Sequence, residues 1–435
     1  MESIWTQSVS RPLFDAQQKD LSTDVLIIGG GLTGLLCASL LQEAGVDSIL
    51  VEADRICGGI TKNTTAKITY QHGLIYDRII RTYGVEHALL YLDANQRALD
   101  RYRSLCQRIA CDYREQDAVV YSLGDSRKIR AEADAYRRLG VSAELVSALP
   151  LPVPVAGGVR VKGQAQFHPL RFAFGLAEGL RILEYTKVLE LRPDAVCTDH
   201  GTIHAKRIIV ATHFPLLNKH GSYFAKLYQH RSYVIALKNA PLPDGMYVDE
   251  SPKGLSFRRA DDLLLLGGGG HRTGKRGGGW QELREFARRH YPEAKEVAHW
   301  ATQDCMSLDG IPYIGAYSKR TSGLFVATGF NKWGMTSAMV AAMLLTDLVQ
   351  GKESPYQKVF SPSRSMLHPQ LAVNLGESAL GLLTPTVPRC PHLGCALKYN
   401  PAEHSWDCPC HGSRFTQEGK LIDNPATDDR KKRRR

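Results

Sequence analysis

At 435 residues the chain exceeds what one hydrophobic core organises, so two or three domains are expected. Its formal charge is +11, but six of those charges sit in the terminal Arg430–Arg435, and no helix-turn-helix, zinc-finger or RNA-binding signature accompanies them. That excludes a dedicated nucleic-acid binder and leaves the tail as a solvated end, or one that touches an anionic surface.

The first residues, Met1 to Gln7, have neither a basic n-region nor an apolar h-region, so no signal peptide is expected and a cytoplasmic location is. From Asp24 an apolar strand, Asp-Val-Leu-Ile-Ile, runs into Gly29-Gly30-Gly31-Leu32-Thr33-Gly34. A helix-like stretch through Leu35, Leu36, Ala38, Leu40 and Leu41 follows, then a second strand, Ser48-Ile-Leu-Val, ending at Glu52. This is a Gly-x-Gly-x-x-Gly turn inside a complete βαβ unit, where glycines let backbone approach a pyrophosphate at a helix N-terminus and Glu52 is placed for ribose hydroxyls. A dinucleotide is therefore expected here.

Residues Tyr70 to Gly140 contain two strongly helical stretches, and Tyr228 to Arg259 reads as strand-turn-strand about Pro243-Asp-Gly245. The glycine run Leu263 to Lys275 resembles a second nucleotide loop but fails the register, since Gly267 and Gly269 are followed by Arg272, and Gly268 and Gly270 by Thr273. Without a second nucleotide motif NAD(P)H is not expected as reductant. His271 and Arg272 are either groups that face the bound cofactor from the substrate side or a polar turn.

Next come Ser307-Leu-Asp309-Gly310-Ile-Pro-Tyr-Ile-Gly315, a strand from Gly323 to Gly329, and Phe330-Asn331-Lys332-Trp333-Gly334-Met335-Thr336 opening an Ala/Met/Leu-rich helix. A second helix N-terminus beside the same ligand suits an isoalloxazine ring, which gains negative charge on reduction, so FAD is favoured over NAD. The helix is short for a membrane span and carries Asp347, so it reads as core.

Pro- and Ser-rich sequence at 354–369 leads almost directly to two paired motifs, Cys390-Pro-His392-Leu-Gly-Cys395 and Cys408-Pro-Cys410-His411-Gly412-Ser413. A structural zinc site could use such spacings. Six ordered Cys and His residues followed by Gly412-Ser413 fit better the ligand arrangement of a Rieske 2Fe-2S centre, with one thiolate and one imidazole from each loop. Cys390, His392, Cys408 and His411 are the expected ligands. The remaining six cysteines, 37, 57, 106, 111, 197 and 305, are scattered and read as buried small apolar side chains.

Taken together, the chain resembles the bacterial FAD-dependent oxidoreductases of the D-amino-acid-oxidase superfamily that carry a C-terminal Rieske domain. The likeness is carried by the glycine turn, Gly58 to Gly73, Ala211-Thr212, Asp309 to Gly315, Gly329 to Thr336 and Ser405 to Phe415. It implies an α/β fold, with a Rossmann-type FAD-binding domain, an α+β substrate domain and a small all-β Rieske module. The implied boundaries are 22–75, 155–215 and 305–355 for the FAD domain, 76–154 and 216–304 for the substrate domain, 356–384 for a linker, 385–427 for a minimal cluster module and 428–435 for the tail.

The resemblance places Gly29, Gly31, Leu32, Thr33, Gly34 and Glu52 on the ADP half of FAD, with Val188, Ala211 and Thr212 beside the adenine. Thr61, Thr64, Thr65 and Ala66 would lie along the isoalloxazine, Asp309 and Gly310 near the ribityl and pyrophosphate, and Gly329, Asn331, Lys332, Trp333 and Gly334 near the flavin ring. His72, Arg231, Tyr233, Arg258 and His271 are the candidates for holding substrate. Resemblance to the Rieske proteins of cytochrome bc complexes implies a Cys395–Cys410 disulfide. Those proteins usually have Tyr where this chain has Phe415, so a hydrogen bond to cysteine sulfur is missing and a lower potential is expected.

The implied activity is oxidation of a small substrate, an amine or amino acid, with electrons relayed singly through the cluster to a protein or quinone partner. Two alternatives stand beside it: a cluster segment that is structural or redox-sensing, and electron flow inward to the flavin.

Overall fold

The computed structural model describes residues 2–192, 194–216, 220–385 and 388–430, so most of the basic tail lies outside the described residues. Among the described residues there are three sheets.

The apolar run ending in the glycine turn becomes the strand Leu21–Ile28, which pairs in parallel with Ser48–Val51 on one side and Gly201–Val210 on the other. Its last four residues are all buried, as expected for a central parallel strand covered on both faces. Leu324–Thr328 extends the sheet in parallel, and Tyr313–Ala316 adds an antiparallel edge. The helices Leu32–Glu43 and Gly334–Val349 pack against one another, both buried over most of their surface. Strand and helix meet through bare backbone at the glycine turn. A Cβ on Gly34 would lie 2.0 Å from the Gly29 carbonyl oxygen, and Gly29 itself has φ +111°.

The second sheet runs in the order Lys295–Met306, Tyr228–Lys238, Leu263–Arg272, Ser256–Ala260, Met246–Asp249, Arg114–Ser122, Gly157–Gln166 and Lys67–Ile68. Two of its strands depart from the sequence-based boundaries. Gly157–Gln166 and Lys67–Ile68 fall in segments expected in the FAD domain, yet they pair with each other in this sheet, where Gly157–Gln166 also pairs with Arg114–Ser122. A strand's pattern of burial reveals that it is half-covered, not which sheet completes it. The strands flanking Pro243-Asp-Gly245 both form but do not pair together: Tyr228–Lys238 lies between Leu263–Arg272 and Lys295–Met306, while Met246–Asp249 pairs with Ser256–Ala260. The glycine run 263–272 is a strand of this sheet, not a phosphate loop.

The third sheet has four antiparallel strands of three residues each, Lys398–Asn400, Ser405–Asp407, Arg414–Thr416 and Leu421–Asp423. Ahead of it, the segment expected as a linker contains the helix Pro369–Leu383. Its buried positions are Asn374 and Gly381, whereas Leu375, Leu380, Leu382 and Leu383 are exposed, so its apolar residues do not form the inward stripe by which a helix is recognised in sequence. Among the described residues no helix is long and apolar enough to cross a membrane.

Candidate functional site

A cavity of about 1350 Å³ opens beside the glycine turn. Its volume exceeds that of an ordinary small-ligand pocket and suits a dinucleotide with room for a substrate. It is lined by Gly29, Gly31, Leu32, Thr33 and Glu52, by Val188, Ala211 and Thr212, by Thr61, Thr64 and Thr65, and by Gly310, Gly329 and Asn331 to Gly334, with Thr61 Oγ1 accepting from the Leu32 N–H at 3.0 Å. The Glu52 carboxylate accepts from the Gly30 N–H at 2.7 Å and the Asp54 N–H at 3.1 Å, which fixes it at the strand end, and burial raises its pKa. A backbone cradle that a Cβ would fill, ending at a fixed carboxylate, fits the ADP half of FAD.

Three expected cofactor positions are not on the cavity wall. Gly34 sits behind it, touching Gly29. Ala66, held at φ 52° with its N–H donating to Thr64 Oγ1 at 2.9 Å, shapes the threonine loop from behind. Asp309 is engaged by Arg364, whose Nε and Nη2 each donate at 2.7 Å, and by the Tyr83 hydroxyl at 3.0 Å, so that only its neighbour Gly310 faces the cavity.

The substrate-holding candidates separate more sharply. His72 reaches the cavity wall, but Thr69 O accepts from its Nε2 at 2.7 Å and the Tyr91 hydroxyl meets its Nδ1 at 2.6 Å. Burial lowers its pKa to about 3, so it is a neutral ring stacked on Trp333 at 5.2 Å. Arg258 donates to the carbonyls of Thr65 and Arg259 and lies over Trp5, 5.4 Å from the ring centre; burial lowers its pKa to about 9. It braces the threonine loop from outside. His271 stacks on Tyr233 at 5.7 Å, and its Nδ1 meets Gly269 O at 3.1 Å, away from the cavity.

Arg231 is absent from the cavity wall and turns to the cluster module, while Tyr233 touches the wall but sends its hydroxyl to the module. Arg231 pairs through Nε with Glu403 Oε1 at 3.0 Å and through Nη2 with Oε2, and the Tyr233 hydroxyl donates to Oε1 at 3.0 Å. Arg272 likewise turns to the cluster loop, donating to Pro409 O at 3.1 Å and Cys410 O at 3.2 Å. Strand alternation explains this: along Tyr228–Lys238 the cavity receives Tyr228 and Ser232, while Arg231 points the other way.

Charged groups that the sequence reading missed line the cavity. Asp304 is raised to about 6 by burial, against the charges of Lys332 and Arg231, and Lys332 is lowered by burial against Asp304. Lys67, whose Nζ donates to Thr65 Oγ1 at 3.0 Å, is lowered to about 7 by burial and by Arg258. Lys67 stands inside the Gly58–Gly73 motif and was passed over for its threonines, whereas Asp304 stands in no motif.

The cluster loops repeat one local design. In each, the first cysteine's carbonyl accepts from a glycine N–H four residues on, Gly394 to Cys390 O and Gly412 to Cys408 O, both at 2.9 Å. In each, that cysteine's N–H donates five residues on, to Cys395 O and Ser413 O, again at 2.9 Å. The repeat brings Cys390 beside Cys408 and His392 beside His411, whose ring centres are 4.9 Å apart, and Cys395 and Cys410 form a disulfide. Hydrogen bonds from Cys408 and Ser413 lower the Cys390 thiol to about 7, while Cys408 is raised by that same hydrogen bond to Cys390 and by burial. Both ring nitrogens of His411 are buried and without a hydrogen-bond partner among the described residues. An imidazole so placed is unsatisfied unless it binds a metal, and two thiols and two imidazoles on paired loops fit a 2Fe-2S cluster.

Residues 24–348 match the family described as FAD dependent oxidoreductase, and residues 367–432 match the Rieske 2Fe-2S domain. The Bacillus subtilis protein YhfW, which carries the name of a Rieske 2Fe-2S iron-sulfur protein, is 36% identical, with 98% of this chain and 96% of the relative covered. The alignment with it runs over 488 residues against 435 here, so the relative has segments without a counterpart in this chain. The γ-glutamylputrescine oxidoreductase of Escherichia coli is 26% identical over 78% of this chain and 86% of its own. Among solved structures, glycine oxidase from Geobacillus kaustophilus superposes with a TM-score of 0.67 at 21% identity, covering 80% of this chain and all of its own, which shows the fold of the larger part.

Proposed function

The chain belongs to the FAD dependent oxidoreductase family and carries a C-terminal Rieske 2Fe-2S domain, and on that premise we propose that it oxidises a small amine or amino acid in the cavity and passes the electrons singly through the cluster to an external protein or quinone. The observation that carries this reading is that the cluster module adjoins the cavity: Leu421, Asp423, Asn424 and Thr427 of the module line the cavity beside Thr212, and Gly412 of its second loop accepts from Gln303 on the strand Lys295–Met306. The relative named for γ-glutamylputrescine supports an amine as the substrate class.

FAD would be held by the glycine turn, Glu52, Thr61, Thr64, Thr65 and Asn331 to Gly334, and the cluster by Cys390, His392, Cys408 and His411; together they supply a two-electron acceptor beside a one-electron carrier. The chain's own part is to bind, dry and deprotonate. His72, Trp333 and Met335 make one wall apolar and uncharged at neutral pH. Asp304 and Lys67, titrating near 6 and 7, are the groups that take a proton from a bound ammonium, leaving the neutral amine that oxidation at carbon requires.

The test is anaerobic mixing of holoenzyme with a panel of amines and amino acids, read by flavin absorbance and low-temperature EPR. One compound should bleach the flavin and produce the signal of a reduced histidine-ligated cluster. Bleaching without that signal, unchanged in His392→Ala, would leave the segment structural and sink the relay.

A further inference from the structure

The two sites are joined by more than shared strands. Tyr228–Lys238 and Lys295–Met306 pair with Arg231 opposite Gln303 and Ser232 opposite Thr302. Residues opposite one another across an antiparallel pair point to the same face. Ser232, Thr302 and Asp304 therefore line the cavity, while Gln229, Arg231 and Gln303 meet the cluster module on the back. Gln303 Nε2 donates to Gly412 O at 2.9 Å, next to His411, and the Gln229 side chain packs where a Cβ of Gly412 would be.

Glu403 is the centre of this contact. It is buried, 9% exposed, and its carboxylate joins Arg231 and Tyr233 of the sheet to Arg414 of the module, at 2.7 Å for Arg414. Burial alone would raise its pKa, but the two guanidinium groups hold it low. Arg414 in turn pairs with Asp407 at 3.0 Å and Asp423 at 2.9 Å, so the network ties three of the module's four strands to the wall. At a second contact, Asn424 Nδ2 donates to Thr212 O at 2.6 Å and to Phe214 O at 3.1 Å, and Phe214 stands edge-on to His392 with ring centres 6.2 Å apart.

We infer that the cluster module is a fixed redox head, not a swinging one, and that Glu403 is the positioning residue that clamps it to the back of the cavity wall. The module also lines the cavity through Leu421, Asp423 and Asn424, so electrons exchanged between the sites need no domain movement. Each crossing moves one electron and no atom, and the cluster gains what the cavity side loses. This rests on the reading above that the segment holds a cluster, but the clamp itself does not.

Hydrogen exchange by mass spectrometry on the holoenzyme tests it, with EPR of the same samples. In the wild type, peptides covering 229–233, 301–305 and 403–416 should exchange slowly and together. In Arg231→Met, which spares the module's own Glu403–Arg414 pair, exchange in 229–233 and 403–416 should rise roughly tenfold or more while the cluster signal stays. Glu403→Gln, which keeps the shape and removes the charge, should rise in the same peptides and serves if Arg231→Met does not fold. Unchanged exchange in both variants, or a wild-type module that exchanges as freely as a surface loop, overturns the clamp. A wild type with slow exchange but no cluster signal would sink the relay and leave the clamp standing.

Discussion

The nucleotide cavity and the cluster module solve the same problem, holding a redox group, with opposite resources. The cavity is assembled from distant stretches of a large core: the glycine turn at 29–34, the threonine loop at 61–65, the end of Gly201–Val210, and the helix start at Asn331–Gly334. The module has four three-residue strands and a core of seven buried residues, four of them cysteines. So few buried side chains do not stabilise a fold alone, and such modules need cross-links, a metal or a neighbour. Here the disulfide, the cluster ligands and the Glu403 clamp supply all three. A deep core can present a cofactor site on its own, whereas a minimal module must borrow its rigidity from the surface on which it rests.

The largest effects should separate the two sites cleanly. Cys408→Ser or His411→Ala removes a proposed cluster ligand, so the EPR signal of the reduced cluster should vanish while the flavin spectrum persists. Iron chelation should do the same and also loosen the third sheet, seen as faster hydrogen exchange over 398–423, because the small core alone is too weak to hold it. Gly34→Ala is the mirror experiment. Its Cβ meets the Gly29 carbonyl at 2.0 Å, which forces the turn apart, so flavin content should fall to a small fraction of wild type with the cluster retained. If either variant lost both cofactors, the two sites would not be independently built.

A smaller effect is expected from the charge in the cavity. Asp304 is protonated below about 6 and cannot then accept a proton from substrate, so the anaerobic rate of flavin reduction should rise from pH 5 to 7. In Asp304→Asn the rise should flatten and the rate at pH 7 should drop, about tenfold or more for loss of a general base. The linkage has a definite sign. A carboxyl with a raised folded pKa keeps a proton that the unfolded chain releases, so stability falls as pH rises from the ordinary aspartate value to about 6. Thermal unfolding of wild type and variant across that window would show the slope in the first and its loss in the second.

The same contrast explains what was legible in the sequence. The glycine turn and the paired Cys and His loops are local: a few adjacent residues fix the backbone, and they stand where the motifs placed them. The partners of Arg231 and Tyr233 were not legible because a polar residue in a strand declares itself unusual but not which face it takes, and a single-residue change of register reverses the answer. Glu403 carries no motif at all, and its role exists only once the module is docked. Asp304 lies between Gln303, which faces the module, and Cys305, so its cavity position too depended on knowing both partners of the sheet. The helix Pro369–Leu383 escaped because its contacts are made by Asn374, Gly381 and the Lys275-paired Glu377, while its leucines face outward.

The finest comparison lies inside the module. Phe415 is fully buried and shares its core with Cys390, Cys408 and the disulfide, but its ring offers no donor to the cysteine sulfurs. Ser413 remains the hydroxyl near the ligand set: it accepts from the Ala426 N–H at 3.0 Å and hydrogen-bonds the Cys390 sulfur. A hydrogen bond to a ligand sulfur stabilises the reduced cluster, which carries the extra negative charge, and so raises its potential. Phe415→Tyr adds one such donor where the ring already packs. One hydrogen bond is worth about 1 kcal/mol, which for a one-electron couple is about 40 mV, so redox titration followed by EPR should move upward by roughly that amount with the cavity untouched. A shift of the same size in the flavin potential would mean that the two sites are electrostatically one, and an unchanged cluster potential would mean that the tyrosine hydroxyl turns away from the sulfurs.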